Sequence, residues 1–245
     1  MRTLSDAAVW HDLECGRYAA DLPYWRRLAA AHGGPVLDLG AGTGRVSIDL
    51  ARQGHEVTAL DHDQELLSEL ARRAVRERAR VTPALGDARD FSLGETFPLI
   101  VIPMQTIQLL RAAGRARLLS CAAEHLAAGG RLAAAITEHF DLYDAAAQPP
   151  DLLPEPDVLE ASGTVYVSQP TAVTQAHDVF ILERRRERLS PGTERVVEVH
   201  RERLDSLTAA QLERDGIEAG LRPAGRTEIG PTPDHVGSVV VMLDA

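Results

Sequence analysis

Val36-Leu37-Asp38-Leu39-Gly40-Ala41-Gly42-Thr43-Gly44-Arg45 is the stretch on which the fold turns. Pro35 to Leu39 reads as a buried strand, apolar apart from Asp38. Glycine then occupies alternate positions, and an amphipathic stretch from Val46 to Arg52 follows. A strand, a glycine turn and a helix in that order suit a nucleotide-binding turn. Glycine lets the backbone reverse sharply and lets a ligand approach where a Cβ would intrude.

The chain on either side repeats the same alternation. Downstream, a strand from Glu56 to Leu60 is followed by a helix from Gln64 to about Arg78 and a strand from Val81 to Leu85. A strongly apolar strand from Leu99 to Ile102 precedes a helix from about Arg115 to Ala127, which stops at Gly129-Gly130 before a strand from Arg131 to Thr137. Strands and helices at this pitch predict an α/β fold with a mostly parallel sheet covered on both faces. Upstream, the first 34 residues read as helical, with Asp21 as the cap of a helix carrying Pro23 in its first turn and ending at Gly33-Gly34.

After Phe140 the pattern changes. Residues 145–160 hold Pro149, Pro150, Pro154 and Pro156 and read as loop, and Gly163 to Leu204 reads as about three antiparallel strands. Arg184, Arg186 and Arg188 share a strand face and are expected to pair with Glu194, Glu198 and Glu202. A helix from Thr208 to Ala219 and strands Pro223 to Ile229 and Val236 to Leu243 finish the chain.

Composition narrows the chemistry. Of 245 residues 26 are basic, every one of them arginine, and 36 are acidic, for a formal charge of −10. With no lysine, Schiff-base chemistry and the G-x-x-x-x-G-K phosphate loop are excluded. The acidity argues against a nucleic-acid partner. Cys15 and Cys121 form no C-x-x-C and no ligand cluster, so no metal is expected. The apolar runs are too short to span a membrane, and the opening residues lack the pattern of a secretory signal, so a cytoplasmic protein is expected.

Two further acids fall at strand ends. Asp61 closes the second strand, where a carboxylate can accept hydrogen bonds from both hydroxyls of a ribose. Asp87 closes the third, in Leu85-Gly86-Asp87-Ala88, where a carboxylate can accept from an adenine amine. Taken with Ile102-Pro103-Met104-Gln105 and Leu126-Ala127-Ala128-Gly129-Gly130, the sequence resembles the class I S-adenosylmethionine-dependent methyltransferases of small-molecule type. The resemblance is strongest over residues 35–137 and continues at the C-terminus.

The resemblance implies a Rossmann-like fold: a seven-stranded, mostly parallel sheet whose last strand is antiparallel, with an N-terminal helical lid and an inserted antiparallel sheet. It divides the chain into a lid (1–34), a cofactor-binding domain (35–140 and 205–245) and an inserted β subdomain (141–204). S-adenosyl-L-methionine is the implied cofactor and S-adenosyl-L-homocysteine its product. Gly40, Ala41, Gly42 and Gly44 would line the cofactor and Asp38 would orient its amino group. Asp61, with His62 beside it, would hold the ribose diol, Asp87 and Ala88 would contact adenine, and Pro103, Met104 and Gln105 would lie below the sulfonium. Position 103 onward reads Pro103-Met104-Gln105-Thr106 rather than the Asn- or Asp-Pro-Pro-aromatic motif of amino-methylating DNA enzymes. That argues against a nucleic-acid substrate, and the lid and inserted sheet that similar small-molecule methyltransferases carry imply a small-molecule acceptor, methylated on oxygen or nitrogen; a homodimer is admitted as a partner state.

The candidate proton acceptors are Glu138 and His139, which follow the fifth strand directly, and His235, in the link between the last two strands. Trp10, His11 and Tyr18 are the candidate lid and substrate residues, and residues 1–20 are expected to close over the cofactor. The alternative for that segment is a permanently packed helix with Trp10 in a core. Two other activities compete: a binding protein that holds S-adenosylmethionine without catalysis, and a nicotinamide-dependent oxidoreductase. The latter's G-x-G-x-x-G fingerprint differs from the G-x-G-x-G turn found here.

Overall fold

The structure is a computed structural model, and it describes residues 4–147, 154–232 and 235–245. Pro149 and Pro150 of the proline-rich loop lie outside the described residues, as do Pro233 and Asp234. The chain divides into two compact units. One comprises the N-terminal residues to Arg17 with His139–Ser206, the other Tyr18–Glu138 with Leu207–Ala245. The segment 1–34, grouped as one lid from sequence, is thus shared between them.

The second unit is built on a seven-stranded sheet. In chain order its strands are β1 (Val36–Leu39), β2 (Val57–Asp61), β3 (Val81–Leu85), β4 (Phe97–Ile102), β5 (Leu126–Ile136), β11 (Arg222–Ile229) and β12 (Ser238–Asp244). Their spatial order is β11-β12-β5-β4-β1-β2-β3. β1 pairs parallel with β2 and β4, while β12 runs antiparallel to both β5 and β11. The mostly parallel sheet with an antiparallel last strand is therefore as the sequence predicts. Every residue of β1 and β2 is buried, which is why both read as unbroken apolar runs rather than alternating ones. Helices α2 (Leu22–His32), α3 (Arg45–Arg52), α4 (Gln64–Glu77), α5 (Ala112–His125) and α6 (Ala209–Glu218) belong to this unit. One core gathers Leu37, Leu39, Ile100 and Ile102 with Leu118 of α5 and Leu212 of α6; another gathers Val36, Leu99 and Val101 with Trp25 of α2 and Leu50 of α3.

The parallel order puts the carboxyl ends of β1, β2, β4 and β5 on one edge. The antiparallel β12 begins there, with Val239 opposite Ile136. α5 ends at His125, and β5 starts at once at Leu126, so Gly129-Gly130 lies inside the strand rather than before it.

The first unit holds the three antiparallel strands expected over Gly163 to Leu204 and two more before them, of which Asp157–Ala161 begins in the stretch read from sequence as loop. They are β6 (Tyr143–Asp144), β7 (Asp157–Ala161), β8 (Thr164–Ala176), β9 (Val179–Leu189) and β10 (Val196–Asp205), antiparallel in the order β10-β9-β8-β6 with β7 also on β8. Packed with them is α1 (Asp6–His11), capped by Ser5 and running on into a π-helical turn, Asp12–Gly16. Arg184, Arg186 and Arg188 do share a face, but their ion pairs correct the expectation. Arg184 binds Asp157 at 2.6 Å and Arg186 binds Glu14 at 2.7 Å, while Arg188 binds Asp6. Glu198 does lie opposite Arg186 in the strand register, yet the arginines turn to carboxylates of the N-terminal segment and β7.

Candidate active site

Gly40, Gly42 and Gly44 all have left-handed φ, at 74°, 56° and 92°. At Gly40 space forbids a side chain as well, since a Cβ would lie 2.4 Å from Thr106 Cγ2. The backbone N–H groups of Gly40 and Ala41 donate to the Leu60 carbonyl at 2.9 and 3.1 Å, tying the turn to the end of β2. Asp61 completes this brace. One carboxylate oxygen accepts from Gly42 N at 2.8 Å and the other from Asp63 N at 2.9 Å. Asp61 is buried, with the Nδ1 of exposed His62 at 3.4 Å. An ionised carboxylate has about four lone-pair directions, so each oxygen keeps accepting capacity beyond these bonds. Helix α4 is capped by Asp63, which leaves Asp61 out of that role.

Asp38 is 1% exposed. Its Oδ2 accepts from Ser47 Oγ at 2.6 Å, while its Oδ1 is buried without a hydrogen-bond partner. Desolvation pushes its pKa up to about 6, against the opposing pull of the Ser47 hydrogen bond and the Arg45 charge. An unsatisfied buried carboxylate oxygen beside a glycine turn is a costly arrangement for a protein alone. It fits the cationic amino group that the implied cofactor would bring.

Asp87 behaves differently. It is half-exposed, and its carboxylate folds back onto Arg89, whose Nε and Nη2 donate at 2.8 and 2.6 Å. These hydrogen bonds, together with one from Arg89 N, hold its pKa down to about 2. Ala88 lies next to it and packs against the larger core.

After β4 the chain passes buried Pro103 and enters Met104 with a φ of 54°. Gln105 Nε2 donates to Thr137 Oγ1 at 2.8 Å, and that hydroxyl donates to the Gly237 carbonyl at 3.2 Å. Gln108 is fully buried; its Oε1 accepts from Thr137 N at 2.7 Å and its Nε2 donates to Thr137 O at 3.0 Å. The side-chain amide thus completes the end of β5 as another strand would. Sequence reasoning missed Gln108 and Thr137. The available signal was a single amide among Ile107, Leu109 and Leu110.

The candidate proton acceptors separate. Glu138 is committed, since its Oε1 accepts from Ala209 N at 2.6 Å at the first residue of α6. His139 is exposed and belongs to the unit of residues 139–206. Trp10 and His11 belong to that unit too. Trp10 is buried, edge-on to Tyr166 at 5.0 Å, with the Arg186 guanidinium over its ring, so it serves a core.

Tyr18 and His235 come together. Their rings stack with centroids 4.7 Å apart, inside the unit that carries the glycine turn. Tyr18 is buried, and its hydroxyl has no protein hydrogen bond of normal geometry, although Ser238 lies beside it. Desolvation, then the nearby Asp21 charge, raises its pKa. His235 N donates to Thr232 Oγ1 at 3.1 Å, which fixes the bend before β12. Asp21 makes no side-chain cap for α2, contrary to the sequence expectation. Its carboxylate is taken by Arg45 at 2.6 and 2.8 Å and by Trp25 Nε1 at 2.8 Å. Among the described residues no group of three or more His, Cys, Asp or Glu is arranged for a metal, and no helix is long and apolar enough to cross a membrane.

Comparison with known proteins agrees with this geometry. Residues 36–130 match the family model described as a methyltransferase domain. The probable S-adenosyl-L-methionine-dependent methyltransferase TehB of Haemophilus influenzae is 30% identical over 38% of this chain and 41% of its own length. The chain thus spans less than half of that curated relative. Among solved structures, the glycopeptide N-methyltransferase MtfA, complexed with S-adenosyl-L-homocysteine, is 27% identical. The match covers 91% of this chain and 86% of MtfA, with a TM-score of 0.62. The sugar N-methyltransferase KedS8 from a Streptoalloteichus species shares the fold at 18% identity and a TM-score of 0.71, over 98% and 93% of the two chains.

Proposed function

We propose that this chain is a class I S-adenosylmethionine-dependent methyltransferase that moves the methyl group of S-adenosyl-L-methionine to a nitrogen or oxygen of a small-molecule acceptor, a reading supported by the methyltransferase-domain match over residues 36–130 and the likeness to TehB and MtfA. The observation that carries the acceptor side is the Tyr18–His235 stack. Two residues far apart in sequence bring a buried tyrosine hydroxyl and an imidazole to the edge where β12 begins beside the end of β5. The description of MtfA as an N-methyltransferase supports an amine as acceptor.

When bound, S-adenosyl-L-methionine supplies an electrophilic methyl group on a sulfonium sulfur. Asp38 Oδ1 would receive the amino group of the cofactor, and Asp61 would receive the ribose hydroxyls while keeping its hold on Gly42 N. Gly40, Ala41, Gly42 and Gly44 would leave room for close backbone approach, and His62 would border the ribose. Ala88 would border adenine. For Asp87 to accept the adenine amine it must share a carboxylate that Arg89 already holds. Pro103, Met104 and Gln105 would floor the reacting region, with Gln105 fixed by Thr137.

On the acceptor side, Tyr18 would orient the acceptor by a hydrogen bond. His235 would take the proton that a hydroxyl acceptor must lose, or the proton shed by a methylated amine. Alignment of a lone pair with the methyl carbon supplies much of the rate in such a displacement. Incubation with S-adenosyl-L-methionine and a panel of amino sugars, phenols and glycopeptides tests the proposal, with S-adenosyl-L-homocysteine formation as readout. Turnover dependent on acceptor is expected. Tight cofactor binding with no turnover on any panel member would favour a non-catalytic binding protein instead.

A further inference from the structure

Arg45 carries no role from sequence beyond being the residue after Gly44. In the structure it is the first residue of α3, where the chain leaves the glycine turn. Its side chain is only 9% exposed. Nη1 donates to the Tyr18 carbonyl at 2.9 Å and to Asp21 Oδ1 at 2.6 Å, and Nη2 donates to Asp21 Oδ2 at 2.8 Å. The guanidinium carbon also lies 5.2 Å from the centroid of the Tyr18 ring. Asp21 is anchored in turn by Trp25, which is fully buried in the core between α2 and the sheet. A continuous strut therefore runs from that core through Asp21 and Arg45 to Tyr18, whose ring stacks on His235.

We propose that Arg45 is a positioning residue that couples the glycine turn to the Tyr18–His235 pair, so that filling the turn sets the acceptor-side residues. The proposal rests on the methyltransferase reading above. Two features single out arginine for the task. Its planar fork binds both oxygens of Asp21 at once while keeping a donor for the Tyr18 carbonyl. The same guanidinium lies over the tyrosine ring, within cation–π range. A lysine would preserve the charge but neither the fork nor the stack. Because Arg45 follows Gly44 directly, a shift of the turn on binding ligand moves the base of the side chain that holds Tyr18.

The His235 imidazole reports on this by nuclear magnetic resonance in the full chain, with the resonances assigned by comparison with His235→Gln. In the unliganded wild type, the Tyr18 ring current should displace them from their ordinary position. Added S-adenosyl-L-homocysteine should move them again. In Arg45→Met the displacement and the response to ligand should both be lost while ligand still binds, and Arg45→Lys should fail to restore either. A merely structural role would leave the resonances of folded Arg45→Met responding as in the wild type, and that result overturns the proposal. If Arg45→Met does not fold, Tyr18→Leu, which leaves the Arg45–Asp21 pair in place, must abolish the displacement and the response, and their persistence overturns it as well. Failure of S-adenosyl-L-homocysteine to bind the wild type would instead strike at the methyltransferase reading, a failure the unliganded spectra keep separate.

Discussion

Asp61 bears two loads at the level of single residues. It braces the glycine turn through Gly42 N, and under the proposed function its remaining lone pairs would receive a ribose. Asp61→Ala should therefore weaken S-adenosyl-L-homocysteine binding by about 1.5–3 kcal/mol, roughly 10- to 100-fold in Kd. Calorimetry on protein shown to be folded checks it, and unchanged affinity would remove Asp61 from the site. Asp38 is subtler. Its folded-state pKa of about 6 lies above the ordinary 3.8, so its contribution to stability is complete below 3.8 and is lost as pH rises through 6. Unfolding midpoints of the unliganded wild type should fall across that window. Asp38→Asn should flatten the fall and gain up to roughly 3 kcal/mol at neutral pH, while weakening ligand binding. A midpoint profile identical to wild type would show that Asp38 is not a strained acid.

The reach of sequence reading follows from the range of the forces involved. The glycine turn and Asp61 were legible because backbone geometry and strand ends impose them locally. The Asp21–Arg45 pair was not, because a Ser/Thr/Asp/Asn before a helix reads as a cap whatever its side chain does. The pairing of Tyr18 with His235 depends on the whole sheet bringing the start of β12 beside the end of β5. Glu138 looked like a base because it follows a strand, yet it satisfies the exposed N–H at the start of α6.

Among the elements, α1 and its π-helical turn are the least expected. The sequence suggested a segment that orders on binding ligand, but charge pairs clamp it to β8 and β9 of its own unit. Glu14 is the centre of that clamp, accepting from Arg186 at 2.8 and 2.7 Å and from Ser168 at 2.7 Å. Burial alone would raise its pKa, but the hydrogen bonds and charge of Arg186 bring the net shift below the ordinary value. Its stabilisation is therefore present above the unfolded pKa and lost as pH falls through the lower folded value. Glu14→Ala should cost about 3 kcal/mol, since it leaves Arg186 mostly buried without its partner. Denaturant unfolding measures the loss, and a change below about 0.5 kcal/mol would mean the clamp is solvent-screened. Hydrogen exchange over Asp6–His11 should show protection with and without ligand, whereas protection appearing only with ligand would restore the lid expectation.

For the molecule as a whole, the mostly parallel sheet follows from strand-helix alternation that any window of the sequence reveals. The division into units does not, because residues up to Arg17 join His139–Ser206 across more than a hundred intervening positions. Long-range ion pairs such as Arg186 with Glu14 and Arg188 with Asp6 make that union, and charges read in sequence pair first with their near neighbours. The net charge of −10 suits an acceptor that is neutral or cationic. Titration calorimetry of the intact protein with S-adenosyl-L-homocysteine, with NADH as the control, tests the central claim most directly. Saturable binding of one S-adenosyl-L-homocysteine per chain and no heat with NADH are expected. A folded protein that binds NADH and gives no heat with S-adenosyl-L-homocysteine would contradict it.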